Sequence, residues 1–531
     1  MKNYLIFLSL SFASIAFAQN KKNENWQNLN PATDHIMGTG AEEAYKTLAG
    51  KTSKTVIVAV IDSGVDPEHE DLKDIIWTNP GEIPDNNIDD DHNGYVDDVH
   101  GWSFLGGPNG DIGNEASELA RIYQRLSKKF AKVDTIFVPA DLQKEYTYYK
   151  KIRATFLAEQ AEKQQDFATM QMINSFIEKV KKESGTLNKE SLNKYTPANG
   201  MESQLKRGLK IAFAMGMKPS ELEKEVKEGY ESVSKEIDMN TMNADSIRQA
   251  IVGDDINNPN ERYYGNNHVQ GPDALHGTHV SGIIAAIRNN SKGINGIANN
   301  VRIMIIRAVP NGDERDKDIA NAIRYAVDNG ASVINMSFGK YYSPEKNVVD
   351  EAAKYAQSKN VLIIHAAGNE SKNKDKEENY PSRKLESGEV LTNWMEIGAN
   401  SSKKGKKVVA PFSNYGKVNV DLFAPGVEIY STIPNNKYIN ESGTSMAAPS
   451  ATGVAALLLQ YFPELKPTEL KDVLIKTAVP YSGKVNVPGL YKKRLLRKSK
   501  KAVRKKFNTL SVSGGFINAN AAAKELLKSK K

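Results

Sequence analysis

A short apolar run, TVIVAVI at residues 55–61, decides the fold and is followed at once by Asp62-Ser63-Gly64. The run is too short for a helix and is rich in β-branched residues, so it predicts a strand that is buried on both faces. Similar runs recur at residues 301–308, 332–336 and 361–366, with helical patterns between them. Strands that alternate with helices predict an α/β fold, in which helices cover both faces of a mostly parallel sheet.

A second part of the chain, residues 115–254, has long amphipathic helix patterns and hardly any strand signal. Apolar residues recur every three or four positions, as on one face of a helix, in two stripes: Leu142, Tyr146, Tyr149, Ile152 and Phe156, then Phe167, Met170, Ile173, Ile177 and Val180. We interpret this part as a large helical insertion in the α/β domain. It would form a helical hairpin packed on itself or on the sheet, or alternatively an arm that binds a partner.

The net charge of the 531-residue chain is concentrated in one segment. Lys and Arg number 71 against 64 Asp and Glu, a formal charge of +7, yet ten of these cations and no acid lie at residues 492–506. We interpret residues 486–510 as a flexible, solvated basic loop, and the alternative is a polyanion contact through residues 492–506. The polyanion would be an anionic glycan, a membrane surface or, less favoured, nucleic acid. The solvated loop is preferred because no aromatic residues are interleaved for stacking.

Residues 1–18 have the pattern of a secretory signal peptide. Lys2 supplies the positive start, residues 5–17 are apolar or small, and AFA at residues 16–18 has the form of a cleavage site. The apolar run is shorter than the roughly 20 residues that cross a bilayer, so we expect no transmembrane segment and an exported protein, periplasmic or extracellular. The absence of cysteine excludes disulfides, thiolate metal ligands and a cysteine nucleophile.

Three polar side chains lie where a strand ends or a helix begins. Asp62 closes the first predicted strand, His276 precedes an apolar helical run, and Ser445 opens a helix of small residues. Singly, each is more often a turn or cap residue than a reactive group. Together they offer a nucleophile, a base that accepts its proton, and a carboxylate that orients the base. The free N–H groups at the start of the helix would also favour an oxyanion.

Asn369, which follows another predicted strand, supplies a further group. Its amide is a neutral donor suited to an oxyanion that develops during acyl transfer. Alone, the Gly-Asn pair at residues 368–369 would predict only a tight turn. Beside the three groups above, Asn369 is a candidate donor of an oxyanion hole.

Four motifs together indicate a family. VAVIDSG at residues 58–64, HGTHVSG at 276–282, AGN at 367–369 and GTSMAAP at 443–449 resemble, in sequence and in order, the motifs of subtilisin-like serine proteases (subtilases). The order Asp, His, Ser is that of subtilisin itself. The resemblance implies a three-layer αβα fold in which Asp62 orients His276, His276 acts as general base and then acid, and Ser445 is the nucleophile. Asn369 and the Ser445 N–H would form the oxyanion hole.

The resemblance also implies which residues recognise substrate. The segment Ser337-Phe338-Gly339 would pair with the extended main chain of a polypeptide, which is recognition by β-strand addition. Glu370 falls at a position that borders the primary specificity pocket in some family members. A preference for basic P1 residues is the resulting hypothesis.

An acidic loop predicts a structural calcium site. Asp89, Asp91, Asn93 and Asp97 place oxygen donors at alternate positions around a glycine turn, a spacing that lets them converge on one cation. Hard oxygen donors favour calcium over zinc, and acids so close together repel unless a cation compensates them. The alternative is a solvated acidic loop. Asp71 resembles part of another calcium site of the family.

These observations lead to one expectation and one alternative. We expect an exported, monomeric serine endopeptidase that hydrolyses polypeptides through an Asp-His-Ser triad and an acyl-enzyme intermediate, with calcium as a structural cofactor. Its peptidase domain would comprise residues 19–114 and 255–485, with a closing helix within residues 511–531. The alternative is a binding protein on a subtilase scaffold that has lost catalysis and uses the helical insertion or the basic loop.

Overall fold

The computed structural model describes residues 24–133, 137–214, 216–494 and 497–529. The signal peptide predicted at residues 1–18 lies outside the described residues. The described chain divides into two compact units, an α/β unit of residues 24–118 and 245–529 and a helical unit of residues 119–244. Within the described ranges, no helix is both long enough and apolar enough to cross a membrane.

Strands and helices alternate along the α/β unit. The strands are β1 (Val56–Asp62), β2 (Gly101–Ser103), β3 (Gly106–Gly107), β4 (Gly110–Asp111), β5 (Val301–Arg307), β6 (Val333–Met336), β7 (Leu362–Ala366), β8 (Trp394–Asn400), β9 (Leu422–Pro425), β10 (Ile429–Ile433), β11 (Lys437–Glu441), β12 (Val479–Pro480), β13 (Lys484–Arg494), β14 (Arg497–Lys506) and β15 (Gly515–Phe516). The helices of both units are α1 (Ala41–Thr47), α2 (Glu118–Phe130), α3 (Gln143–Ser184), α4 (Lys189–Lys194), α5 (Gly200–Ala214), α6 (Pro219–Thr241), α7 (Ala244–Ile251), α8 (Leu275–Ala285), α9 (Asp316–Asp328), α10 (Lys346–Ser358), α11 (Thr444–Tyr461), α12 (Pro467–Lys476) and α13 (Ala519–Ser529).

A nine-stranded sheet forms the centre of the α/β unit, in the order β12-β15-β9-β8-β7-β6-β1-β5-β2. Neighbouring strands are parallel except for β12 and β15. β1 runs in register with β5, from Val56 opposite Val301 to Asp62 opposite Arg307. The strand order reverses at β1. The carboxyl end of β1 therefore lies at a crevice between connections that leave in opposite directions, the usual place for a binding site in such sheets.

Apolar residues on the two faces of the sheet form two cores. Val58 and Val60 of β1 belong to the core that contains residues of α1, α8, α11 and α13. Ala59 and Ile61 belong to the core that contains residues of α9 and α10. Because successive side chains of a strand point to opposite faces, the apolar run of β1 serves both cores. The prediction of a three-layer α/β fold is confirmed.

The helical unit differs from the predicted hairpin in its longest helix. From Tyr146 onward, both predicted apolar stripes lie on α3, which runs for 42 residues. The residues between the stripes, LAEQAEKQQD at 157–166, are mostly strong helix formers and include no glycine or proline, so the helix continues through them. It ends at Gly185, whose φ of 75° suits a left-handed cap. Ile173, Phe176 and their neighbours on α3 form a core with residues of α4, α5 and α6.

Residues 486–494 and 497–509 of the predicted basic loop lie on two paired strands and in the short 3₁₀ turn after them. β13 and β14 pair antiparallel from Lys484 opposite Lys506 to Arg494 opposite Arg497. The base of the hairpin is anchored by Val485, Val487 and Phe507, which are buried in one cluster with Phe516 of β15. The prediction of a loop was wrong because it relied on the many charged residues and overlooked the alternating apolar residues Val485 and Val487 at the base of the hairpin. The closing helix is α13.

Candidate active site

Asp62 and His276 meet at the carboxyl end of β1. Asp62 is the last residue of β1 and is buried, and His276 is the second residue of α8. Nδ1 of His276 lies 2.7 Å from Oδ1 of Asp62, although 214 positions separate the two residues in the chain. The contact fits an Nδ1–H that donates to the carboxylate and leaves Nε2 free to accept a proton.

A glycine allows α8 to approach β1 this closely. A Cβ on Gly277 would lie 2.2 Å from the main-chain oxygen of Gly64 and 3.1 Å from Cβ of Asp62. Any side chain at position 277 would therefore push α8 away from the loop after β1. The HG pair of the HGTHVSG motif thus sets the distance between the imidazole and the carboxylate.

The surroundings raise the pKa of His276 above its ordinary value. Burial lowers the pKa, but the charge of Asp62 and its hydrogen bond outweigh burial, and Glu441 adds to the effect. Oδ1 of Asp62 also accepts the main-chain N–H of Ser63 at 2.8 Å, which holds the carboxylate in place. An imidazole whose cation is stabilised in this way is suited to take the proton of a hydroxyl.

Ser445 lies in the first turn of α11, and its hydroxyl is directed at the loop after β6. Its Oγ donates to the main-chain oxygen of Ser337 at 3.0 Å, and the hydroxyl of Ser337 donates to the main-chain oxygen of Ser445 at 2.9 Å. α11 packs against α8, the helix that carries His276. Because Ser445 donates its hydroxyl hydrogen to Ser337, the hydroxyl must turn before it can transfer this proton to His276. The hydrogen bond between a nucleophile and its base often forms fully only when substrate is bound.

Asn369 and Ser445 present two N–H donors to one space. Thr444 donates to Oδ1 of Asn369 from its main-chain nitrogen and from Oγ1, each at 2.9 Å, so the amide is held with Oδ1 on Thr444. A Cβ built on Gly443 would lie 3.5 Å from Nδ2 of Asn369 and 3.5 Å from the main-chain nitrogen of Ser445. Both donors therefore border the space beside Gly443, as an oxyanion hole requires.

The predicted recognition segment, residues 337–339, follows β6 and passes Ser445. Gly339 is exposed, and in the described part of the chain its main-chain groups make no hydrogen bond, which leaves them for an added strand. Glu370 is also exposed, directly after Asn369. Its Oε2 accepts a hydrogen bond from Nδ2 of Asn414 at 2.8 Å, so the carboxylate is held beside the oxyanion donors.

In the predicted calcium loop, the structure brings together a set of acids that differs from the predicted one. Carboxylate oxygens of Glu82, Asp91 and Asp98 all lie within 4.8 Å of one another. Oε2 of Glu82 is buried and makes no hydrogen bond among the described residues. Burial raises the pKa of Glu82, and it raises that of Asp98 to about 6. Three acids in so small a space, one with an unpartnered oxygen, fit a hard cation.

The other predicted ligands in this loop have different roles. Oδ1 and Oδ2 of Asp89 accept the main-chain N–H groups of Asn93 and Gly94, at 3.0 and 2.8 Å. Asp97 accepts the main-chain N–H groups of residues 86 and 87, at 3.2 and 2.8 Å. Nδ2 of Asn93 donates to Asp91 and to Asp98, at 3.1 Å each. Of the predicted set, only Asp91 belongs to the three-acid cluster, and the others shape the loop around it.

Asp71 has neighbours of another kind. It is fully buried, and its Oδ1 accepts a hydrogen bond from Nδ2 of Asn290 at 2.6 Å. Its main-chain N–H donates to Nδ1 of His69 at 3.1 Å, and burial raises the pKa of its carboxyl group. Among the described residues Asp71 is not part of a three-acid group.

Two parts of this arrangement were missed by the sequence analysis. Glu82 lies outside the regular spacing of the acidic loop, and no local pattern marks it as a partner of Asp91. Thr444 orients the amide of Asn369, and the only signal for that role was its place in the GTSMAAP motif beside Ser445. The role of Thr444 depends on a contact with a loop 75 positions earlier in the chain.

Comparison with known proteins agrees with this geometry. The sequence model of the subtilase family matches residues 53–511. A thermophilic serine proteinase of Bacillus sp. (strain AK1) is 41% identical over 209 residues, which are 39% of this chain and 48% of that protein. Thermitase of Thermoactinomyces vulgaris is 39% identical over 184 residues, 34% of this chain and 60% of thermitase. Subtilisin DY of Bacillus licheniformis is 34% identical over 206 residues, 38% of this chain and 70% of that protein.

These matches differ in extent. The chain spans about half the length of the thermophilic serine proteinase and a larger part of subtilisin DY. The family match itself covers most of the chain and includes Asp62, His276 and Ser445. The chain therefore belongs to the subtilase family.

Proposed function

We propose that this protein is a serine endopeptidase in which His276 activates Ser445 for attack on a peptide carbonyl. The observation that carries the proposal is the pair of N–H donors beside Gly443, which border the space next to the hydroxyl of Ser445. The 2.7 Å contact between His276 and Asp62 supports it by supplying an oriented base. A hydroxyl at a helix start, with two donors beside it, is suited to acyl transfer.

In the first half of the proposed reaction, the acyl group moves to the enzyme. The hydroxyl of Ser445 turns from Ser337, gives its proton to Nε2 of His276, and Oγ bonds to the carbonyl carbon. The carbonyl oxygen takes the negative charge and accepts hydrogen bonds from Nδ2 of Asn369 and the N–H of Ser445. His276 then passes its proton to the leaving amine as the C–N bond breaks, and the acyl group remains as an ester of Ser445.

In the second half, water releases the acyl group. A water molecule gives a proton to Nε2 of His276 as its oxygen bonds to the ester carbon. The charge on the carbonyl oxygen returns to the same two donors, Asn369 and the N–H of Ser445. The bond to Oγ then breaks, Ser445 regains its proton from His276, and the carboxylic acid leaves.

The proposed substrates are polypeptides in an extended conformation. The main chain of Gly339 supports this, because it is exposed and makes no hydrogen bond within the described ranges. A peptide that lies along it can form strand-like hydrogen bonds and reach Ser445. The exposed carboxylate of Glu370 supports a preference for basic P1 residues, since it would pair with a cationic side chain. Comparing cleavage of matched peptides with Lys, Phe or Leu at P1 tests this preference, and best cleavage after Phe or Leu would contradict it.

The proposed cofactor is a structural calcium ion held by Glu82, Asp91 and Asp98. Calcium prefers carboxylate oxygens, and the unpartnered Oε2 of Glu82 supports the assignment. When bound, the ion would neutralise the acids and hold the loop together. It would take no part in the proton transfers of His276 and Ser445.

The proposed location is outside the cytoplasm, in the periplasm or the extracellular medium, and the proposed state is a monomer. The signal pattern of residues 1–18 supports export. A polyanion contact through residues 492–506 is supported by the composition of this segment, which has ten Lys or Arg residues and no acid. So many cations in a short segment attract an anion.

The experiment that tests the proposed activity compares the purified protein with Ser445→Ala. We expect the wild type to hydrolyse casein and to be labelled by a serine-directed phosphonate. Ser445→Ala should lose the label, and its kcat should fall on the order of 10⁶-fold, as when the nucleophile of such a triad is removed. Ser358→Ala, at an exposed serine of α10, is the matched control and should keep full activity. Equal hydrolysis by Ser445→Ala would end the proposal, and an unlabelled, inactive wild type would favour the binding-protein alternative.

A further inference from the structure

Lys340 is a buried cation at the end of the segment that passes Ser445. Its side chain is 1% exposed. The ammonium group donates to Oε2 of Glu118 at 3.0 Å and to the main-chain oxygen of Glu314 at 2.7 Å, and it lies 2.9 Å from Oδ1 of Asp316. An ammonium group has three N–H donors, and these three oxygens lie around it as acceptors. The charge is thus retained in the interior because two carboxylates and one carbonyl replace its water.

The main chain of Lys340 is fixed as firmly as its side chain. Its N–H donates to the carbonyl of Tyr380 at 2.8 Å, and the N–H of Tyr380 donates back at 2.7 Å. Three residues earlier, Ser337 exchanges two hydrogen bonds with Ser445. The segment 337–340 is therefore tied to the proposed nucleophile at one end and to a buried ion cluster at the other. Between the two ends lies Gly339, which is exposed and whose main chain makes no hydrogen bond to any residue that the structure describes.

The partners of Lys340 also join elements that border the helical insertion. The chain leaves the α/β unit after Glu118 and returns at Asp245. Arg315, beside Asp316 at the start of α9, pairs with Asp245 at 2.9 Å and with Glu115 at 3.0 Å. The two points where the chain of the α/β unit is interrupted are thus joined at the start of α9. Lys340 connects the segment 337–340 to this same cluster through Glu118 and Asp316.

We propose that Lys340 is a positioning residue that holds the segment 337–340 in place for extended polypeptide substrates. This proposal rests on the proposed peptidase function. A substrate that reaches along Gly339 depends on where that main chain lies, because strand pairing requires N–H and C=O groups at fixed positions. A substrate that occupies only the space next to Ser445 depends on it much less. Loss of the Lys340 cation leaves the carboxylates of Glu118 and Asp316 without their shared partner, and the segment would shift.

The test compares a tetrapeptide anilide with an N-acyl amino-acid ester that carries the same P1 residue. Variants are Lys340→Met and, in case it does not fold, Glu118→Gln, which removes one charge and keeps the side-chain shape. Rates are normalised by titration with a serine-directed phosphonate, so that only folded, active molecules count. The control is Lys354→Met, at a lysine that forms an exposed ion pair with Glu389.

We expect Lys340→Met to raise KM for the tetrapeptide about tenfold or more and to change KM for the ester less than about twofold, since small displacements at such sites have large effects. Glu118→Gln should shift the ratio of the two KM values in the same direction, and Lys354→Met should leave it unchanged. An unchanged ratio in Lys340→Met, or in Glu118→Gln if the first does not fold, would refute the positioning role. A wild type that cleaves neither substrate would instead refute the proposed function, and this inference with it.

Discussion

Gly443→Ala is the sharpest test of the proposed oxyanion hole. The added methyl group would lie 3.5 Å from Nδ2 of Asn369 and 3.5 Å from the main-chain nitrogen of Ser445. An oxyanion must come within about 3 Å of the same two donors, so the methyl group and the oxyanion would compete for one space. Removing one such donor lowers kcat on the order of 10² to 10³-fold, which is roughly 3 to 4 kcal/mol of transition-state stabilisation. We expect a loss at least that large, because both donors are obstructed.

The same substitution should leave the fold intact. The nearest heavy atoms to the added methyl carbon are at 3.5, 3.5 and 3.6 Å, which is ordinary van der Waals contact. Gly443 has φ 177° and ψ 165°, an extended conformation that alanine adopts without strain. Replacing glycine by alanine at such a position changes the free energy of unfolding by less than about 1 kcal/mol, and in the stabilising direction. The melting temperature should therefore stay the same or rise slightly.

The assay is kcat on a peptide anilide together with the melting temperature of each variant. Gly208→Ala is the control, since Gly208 lies in α5 and a Cβ there would have no neighbour within 4 Å. Asn369→Ala should also lose activity, and combining it with Gly443→Ala should lower kcat by less than the product of the two single effects. If Gly443→Ala kept wild-type kcat, the space beside Gly443 could not be where the oxyanion lies.

Two further predictions concern metal binding and pH. Added calcium should raise the melting temperature of the wild type and of the surface control Lys354→Met. In Glu82→Gln most of this rise should be lost, because one proposed ligand of the Glu82, Asp91 and Asp98 cluster is gone. An equal rise in Glu82→Gln would exclude this site. Burial raises the pKa of Glu314 to about 8, so between its ordinary value near 4.5 and pH 8 the folded state keeps a proton that the unfolded state has released. The free energy of unfolding should therefore fall by a few kcal/mol as pH rises through this window. Denaturant unfolding at several pH values should show a smaller fall in this free energy for Glu314→Gln. If the free energy of unfolding depended on pH equally in both proteins, Glu314 would not be the group responsible.

Much of the fold could be predicted because its strands are short, buried and locally marked. The run at residues 55–61 has the composition of a strand covered on both faces, and the structure places its residues alternately in two cores. The stripes on α3 were recognisable as helix faces for the same local reason. That both stripes belong to one 42-residue helix depends on residues 157–166 between them, which carry no apolar stripe but contain no glycine or proline to end the helix.

The basic segment shows where local pattern misled. Its charge predicted a solvated loop, but the strands β13 and β14 are secured at their base by Val485, Val487 and Phe507. These three residues are buried against Phe516, which lies after the segment in the chain. The number of charges in the segment gives no information about this packing. The acidic loop at residues 89–98 is a second case in which spacing alone was insufficient. Regular spacing singled out Asp91 as a candidate ligand, but it could not indicate that Glu82 lies beside Asp91, because Glu82 is outside the repeat.

The sequence by itself determined which chemical groups are present and at which ends of strands and helices they stand. Asp62, His276, Asn369 and Ser445 each lie in a contiguous motif, and contiguous motifs express backbone preferences that act over a few residues. Only the tertiary structure decided how these groups meet. Packing of α8 against the sheet brings His276 within 2.7 Å of Asp62 across 214 positions, and buried Lys340 meets Glu118 across 222. Such contacts arise because a buried polar group must find partners wherever packing places them, and that requirement leaves no local pattern in the chain.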